Sequence, residues 1–194
     1  MRKIALPFLL SFLCGCTLFK GKPVPNMLSA EEEMLGWELL WDGNFPPDKW
    51  ADVRAGSTNF TANGWLAAGN ALVASAGADP IRTKTAFRDF DLKVDYRLAP
   101  DASANIVYFH NAETNADASV AYELTPPPPE TKYEDAWQTA RIVARRKSVT
   151  HWLDGRIAER KTREDEGLSG RVMLAPRSGS TEFRNLKVRV FGKW

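Results

Sequence analysis

Cysteine is almost missing from this chain, and its placement says more than its number. The 194 residues hold two, Cys14 and Cys16, both in the first sixteen positions. Anything folded from the remainder has no disulfide framework and no thiolate metal site. Histidine is equally scarce, with only His110 and His151, which leaves little for a His-rich metal centre. A surplus of charge is lacking too. Removing Arg2 and Lys3 with a leader of fifteen residues leaves 24 basic against 24 acidic side chains, so no basic stripe points to nucleic acid. The apolar run from Ile4 to Leu13 is too short to span a bilayer. No later stretch shows a convincing helical period, and Asp135 to Ala140 would make a turn or two at most.

What is present at the N-terminus is a processing signal. Arg2 and Lys3 precede the apolar run, which ends in Leu13-Cys14-Gly15-Cys16. This resembles a bacterial lipobox with Cys16 as the lipidated residue, and a plain secretory signal cleaved near Gly15 is the alternative. Acyl chains on Cys16 would anchor the protein to a membrane of the cell envelope, facing the periplasm or the cell surface. Residues 16–34 then read as the lipidated cysteine and a flexible tether, rich in Lys, Pro and Glu. Residues 35–194 are long enough for one domain with a sizeable core.

Period-two alternation dominates that domain. In Phe90–Leu98 the apolar side chains Phe90, Leu92, Val94, Tyr96 and Leu98 take one face, and Asp91, Lys93, Asp95 and Arg97 the other. That is the pattern of a half-buried antiparallel strand. Leu186, Val188 and Val190 alternate with Lys187 and Arg189 in the same way. Shorter strands are predicted at Glu38–Leu40, Trp65–Ala67, Ala71–Ala74, Ile81–Thr85, Asn105–Phe109, Val120–Leu124 and Arg171–Ala175, separated by Gly, Asn, Asp and Pro clusters. From Trp137 to Gly155 two strands flank a basic turn at Arg145-Arg146-Lys147, read as a solvated hairpin turn. Many short strands at regular spacing predict an all-β antiparallel sandwich or jelly roll. Most of the seven tryptophans belong in its core, although such rings also line sugar clefts.

Several segments, in order, resemble the 3-keto-disaccharide hydrolase family. They are Gly36-Trp-Glu-Leu-Leu-Trp-Asp-Gly43 followed by Trp50, Gly64-Trp65 with Asn70-Ala-Leu72, and Thr83 with Phe87-Arg-Asp-Phe-Asp-Leu92. The series continues with Ala104–Phe109, the Trp137–Gly155 hairpin and Glu182–Val190. The resemblance implies a concanavalin A-like β-sandwich. It also implies cleavage of glycosides already oxidised to a ketone at C3. The ketone acidifies the C2–H, the glycosidic oxygen leaves C1 by β-elimination, and hydration of the enone completes a net hydrolysis. Such a site needs a base at C2, a proton donor for the leaving oxygen, and a cation or hydrogen-bond donor at the C3 oxygen.

By the resemblance, Glu123 and His151 would be the acid–base pair, with Asn105, His110, Trp137 and Arg184 positioning the sugar. The residues themselves leave other roles open. Glu123 alternates with Tyr122 and Leu124, so it points into a cleft or lies on an outer sheet face. His151 shares parity with Val149 and Leu153, which suits a core histidine as well as a base or metal ligand. Arg184 shares parity with Leu186 and Val188 unless a bulge intervenes, and there it would want a buried carboxylate. A divalent metal has no clear ligand set: Asp42, Asp48 and Asp52 lack the spacing of a calcium loop. The Asn59-Phe-Thr61 sequon is a chance match in a bacterial chain.

The chain also departs from the family pattern. The Gln and Asp that follow the family's Glu are replaced by Thr125-Pro-Pro-Pro-Pro129, and Leu174-Ala-Pro-Arg177 stands where a Gln and a His are usual. Two functions follow. One is a hydrolase or lyase acting on 3-keto-glycosides. The other is a non-catalytic carbohydrate-binding or adhesion lipoprotein on the same sandwich.

Overall fold

A computed structural model describes residues 24–53, 57–111, 119–126 and 136–192. Among these the chain forms one short helix, α1 (Ala30–Met34), and thirteen strands. In chain order these are β1 (Trp37–Leu39), β2 (Trp50–Asp52), β3 (Trp65–Ala68), β4 (Ala71–Ala74), β5 (Ile81–Phe87), β6 (Phe90–Leu98) and β7 (Ser103–His110). They continue with β8 (Val120–Leu124), β9 (Gln138–Arg145), β10 (Ser148–Leu153), β11 (Arg156–Thr162), β12 (Gly170–Ser178) and β13 (Thr181–Val190). All pairings are antiparallel. The larger sheet runs β11-β10-β9-β6-β13-β4-β3, with β1 also on β13, and the smaller runs β2-β5-β12-β7-β8. Face to face they make the antiparallel sandwich that the strand pattern predicts, of the concanavalin A-like kind that the family resemblance implies.

The core is what the alternation dictates. Phe90, Leu92, Val94, Tyr96 and Leu98 on β6 meet Ile106, Tyr108, Leu124 and Leu174 from the other sheet, all buried. Each such side chain stabilises the fold by roughly 1.5–3 kcal/mol through removal from water. Trp37, Trp41, Trp50 and Trp65 are buried as well. Three of these meet the need of a buried indole N–H for an acceptor, donating to Asn44 O, Leu40 O and Asp79 O respectively for Trp41, Trp50 and Trp65.

Two bulges decide which side chains face outward. On β13 the register slips between Arg184 and Lys187, and Asn185 takes φ +50°. The slip turns Arg184 to the outside while Phe183 and Leu186 stay buried. It also lets β13 pair with β4 along its first part and with β1 along its last. On β7, Phe109 adopts φ +59° and packs inward beside Tyr108, so His110 emerges on the outer face. Gly170 makes that bulge possible: a Cβ there would sit 2.3 Å from the Phe109 carbonyl carbon.

Four segments differ from the sequence reading. Residues 24–34, expected to be tether, are packed against the larger sheet. Asn26 donates from its backbone to Asn185 Oδ1 (2.7 Å) and from its side chain to Asn70 O, and Glu32 holds the Lys187 ammonium at 2.8 Å. Ser29 and Glu32 close a capping box that starts α1, a helix too short to carry a readable period. The second is Gln138–Ala140, which belongs to β9 rather than a helical turn, because it pairs with both β6 and β10. The third is β2, a three-residue strand not among those predicted, and the fourth is β11, also not among them. Arg-Ile-Ala-Glu-Arg-Lys-Thr is an exposed edge strand with no buried face to impose alternation.

Candidate functional site

The six candidate site residues fall on three different surfaces. Asn105 and Glu123 project from the outer face of the smaller sheet, directly opposite one another on β7 and β8. His110 lies on the same face, five residues along β7 and level with Arg171 of β12. At about 3.4 Å per residue this puts His110 at most roughly 17 Å from Asn105 along the strand. Between them the floor is apolar: Ala121, Val107 and Met173 form one cross-strand row, ending on Arg82 of β5. Ala175 stands beside Asn105 in the next row. Apolar floor residues with a carboxylate, an amide and guanidinium groups around them make a surface suited to a polyhydroxylated ligand.

His110 is held in a cationic setting. Burial pushes its pKa down, and the neighbouring Arg82 and Arg171 push it further in the same direction. Its Nδ1 lies 3.5 Å from Ser119 Oγ, while its buried Nε2 has no hydrogen-bond partner among the described residues. The ring is neutral at pH 7 and can donate or accept at Nε2 according to tautomer. Arg82 is 2% exposed and donates from Nε to Asp52 O at 2.9 Å. Sequence reasoning missed Arg82 and Arg171. Their alternation with Ile81 and Val172 was legible, but not that this face carried the polar groups.

His151 is not on that face. It is fully buried between the sheets. Its Nε2 is 2.8 Å from Tyr108 Oη, and its ring stacks on Tyr122 with centroids 4.4 Å apart. Nδ1 lies 3.3 Å from a Glu159 carboxylate oxygen that also meets Lys161. Burial and Lys161 lower its pKa, and Glu159 opposes them without prevailing. Glu123 points away from this interior, so the two cannot work as an acid–base pair. The core reading of the Val149, His151, Leu153 parity describes the residue instead.

Arg184 and Trp137 sit on the far side of the sandwich. The Arg184 guanidinium lies 3.9 Å from the centre of the Trp137 ring and its Nε 3.7 Å from Asp95. Arg97 also overlies that ring at 5.2 Å and pairs with Glu182. These contacts are satisfied within the larger sheet's outer face, so neither residue joins Glu123. Cys16 lies outside the described residues. Among the described residues no group of three or more His, Cys, Asp or Glu side chains is placed to hold a metal ion, and no helix is long and apolar enough to cross a membrane.

Residues 121–189 match the 3-keto-alpha-glucoside-1,2-lyase-like domain. The matched segment runs from β8 through most of β13 and includes Glu123, His151 and Arg184. The resemblance read from the sequence is therefore sound over this part of the chain. No curated protein matches the chain in sequence. Among solved structures, a candidate glycosyl hydrolase from Parabacteroides distasonis superposes with a TM-score of 0.70 at 16% identity, covering 87% of this chain and 100% of that one. A β-glucanase from Bacillus licheniformis gives 0.56 at 9% identity, covering 80% and 97%. Carbohydrate-binding module CBM66 from Bacillus subtilis gives 0.52 at 13%, covering 72% and 94%. At these identities the likeness is one of fold.

Proposed function

We propose that this is a carbohydrate-active domain whose site is the outer face of the smaller sheet, and that it cleaves 3-keto-glycosides by elimination and hydration. The observation that carries the proposal is the facing pair Asn105 and Glu123 beside an apolar floor, within a chain matched to a 3-keto-glucoside lyase-like domain. Glu123 is the one acidic residue of β5, β7, β8 and β12. An ordinary glycosidase flanks its bond with two carboxylates. A ketone-assisted elimination needs one base, which is what these strands supply.

In this mechanism the Glu123 carboxylate takes the proton from C2. The electron pair moves towards C3, and the negative charge that develops on the ketone oxygen is met by the cationic groups of this face, Arg82 or Arg171. The C1–O bond then breaks, and the departing oxygen takes up the proton that Glu123 received from C2. Water adds to C1 of the enone, a proton returns to C2, and the net change is hydrolysis. Asn105 positions the sugar by hydrogen bonds, and neutral His110 does so further along the same face. His151 takes no part in the chemistry.

The second reading is a non-catalytic carbohydrate-binding domain on the same face. It is supported by the seclusion of His151, which leaves Glu123 without the imidazole partner that the family resemblance implied.

The test is release of 3-ketoglucose from 3-keto-trehalose and 3-keto-sucrose by the full chain, with and without added divalent metal. Turnover that falls about a hundredfold or more in Glu123→Gln supports the elimination reading. Glycan binding without release, weakened in Asn105→Ala, would replace it with the binding domain.

A further inference from the structure

One end of the sandwich gathers four arginines from separate parts of the chain. The β5–β6 turn brings Arg88 and Asp89, the β9–β10 hairpin brings Arg145 and Arg146, and the β11–β12 loop brings Arg163, Glu166 and Gly167. With Phe191 and Gly192 after β13, these residues line a cavity of ≈ 320 Å³, Arg163 lying just behind the wall. The sequence reading made Arg145-Arg146-Lys147 a solvated turn. In the fold, two of the three line a cavity.

The cavity is braced from beneath by Arg163, whose side chain is 4% exposed. Its guanidinium donates to Arg88 O at 2.9 Å, to Leu168 O at 3.2 Å, to Arg146 O, and to Asp89 Oδ1 at 2.5 Å. The same Asp89 oxygen accepts the Arg146 backbone N–H at 2.7 Å. Burial raises the Asp89 pKa, but the Arg146 N–H, Arg163 and Arg88 together hold it below the usual carboxylate range. Asp89 is thus committed as an anion to the brace. Arg145 rests over the Phe191 ring at 5.4 Å, and among the described residues neither Arg145 nor Arg146 pairs with a carboxylate. Glu166 on the rim is the remaining acid of the lining. Arg163 takes up Asp89, which leaves Arg88, Arg145 and Arg146 facing Glu166, with Asp165 behind Gly167 of the same loop, a surplus of one positive charge among these groups.

We infer that this end cavity is an anion-binding site for a phosphate or sulfate ester, distinct from the face that carries Glu123. Arginine forks suit tetrahedral oxyanions, because paired N–H groups meet two oxygens at once. A volume of ≈ 320 Å³ exceeds the share of a single water, about 30 Å³, roughly tenfold. It therefore admits the ester's organic group together with the anion. An anionic ester would neutralise the surplus charge, whereas a neutral sugar would leave it unmet.

The test is calorimetric titration of the full chain with inorganic phosphate, inorganic sulfate and glucose 6-phosphate, with glucose as the neutral control, at fixed ionic strength. The proposal expects saturable binding of the anions and none of glucose. Affinity should fall about tenfold or more in the Arg145→Ala, Arg146→Asn double variant, since charge-assisted hydrogen bonds are lost. Asparagine at 146 tolerates the positive φ of that residue, +51°, and an unchanged melting temperature would show the variant folded. Sedimentation with phosphatidylglycerol vesicles, lost in the same variant and competed by free phosphate, would name a lipid headgroup as the source of the phosphate. No saturable anion binding, or binding equal in the variant, overturns the site.

Discussion

At the scale of single residues, His151 separates resemblance from environment. A family match nominates it for chemistry, yet its ring is enclosed by Tyr108, Tyr122 and the edge pair Glu159 and Lys161. His151→Ala should therefore leave turnover per folded molecule intact while lowering stability by about 2–3 kcal/mol, through the lost ring and the orphaned Tyr108 hydroxyl. Urea unfolding and a specific-activity assay measure the two effects separately. The lowered pKa of both histidines also sets a pH dependence. A depressed folded pKa means that the unfolded chain binds more protons once the pH drops below the ordinary histidine value, about 6.5. Stability should be full above that pH and fall as the pH decreases towards the folded pKa values. The slope is at most about 1.4 kcal/mol per pH unit for each histidine. Urea midpoints from pH 7.5 to 5 check this, and His151→Gln should shallow the fall.

At the scale of elements, bulges do work that no strand assignment conveys. The slip on β7 puts Phe109 in the core and His110 outside, and it depends on Gly170 of the neighbouring strand. A methyl group at position 170 would meet backbone rather than a yielding side chain tip. Gly170→Ala should cost on the order of 3 kcal/mol and displace His110, seen as lost stability together with weaker substrate binding. On β13 the bulge at Asn185 makes Arg184 an outward residue that stacks on Trp137. Bulges were hard to read because both strands keep an alternating sequence on either side of the slip. One inserted residue reverses the faces beyond it without disturbing the pattern.

At the scale of the whole molecule, the domain begins earlier than composition implied. Residues 24–34 are joined to the sheet through the reciprocal Asn26–Asn185 hydrogen bonds and the Glu32–Lys187 ion pair, in which Lys187 is 9% exposed. Removing residues 1–34 should therefore lower stability by about 2 kcal/mol relative to removing residues 1–23, because the buried Lys187 ammonium and the half-buried Asn185 amide lose their partners. A pair of urea melts decides it. If the two truncations unfold alike, the segment contributes no stability and the tether reading returns.

Local chemistry in the sequence was enough for the all-β class, for the strands at Phe90–Leu98, Ala71–Ala74 and Val120–Leu124, and for the burial of most tryptophans. Alternation with period two follows from one face meeting water and the other a core, and it survives in a linear string. Which outer face carries the polar groups was not legible, because both sheets alternate alike. Only the assembled sandwich parted Asn105, His110 and Glu123 from Arg184 and Trp137, and enclosed His151 between them. Likewise, only the tertiary structure drew Arg88, Arg145, Arg146 and Arg163 to one end, since contacts between distant turns depend on strand order and register, which no local pattern records.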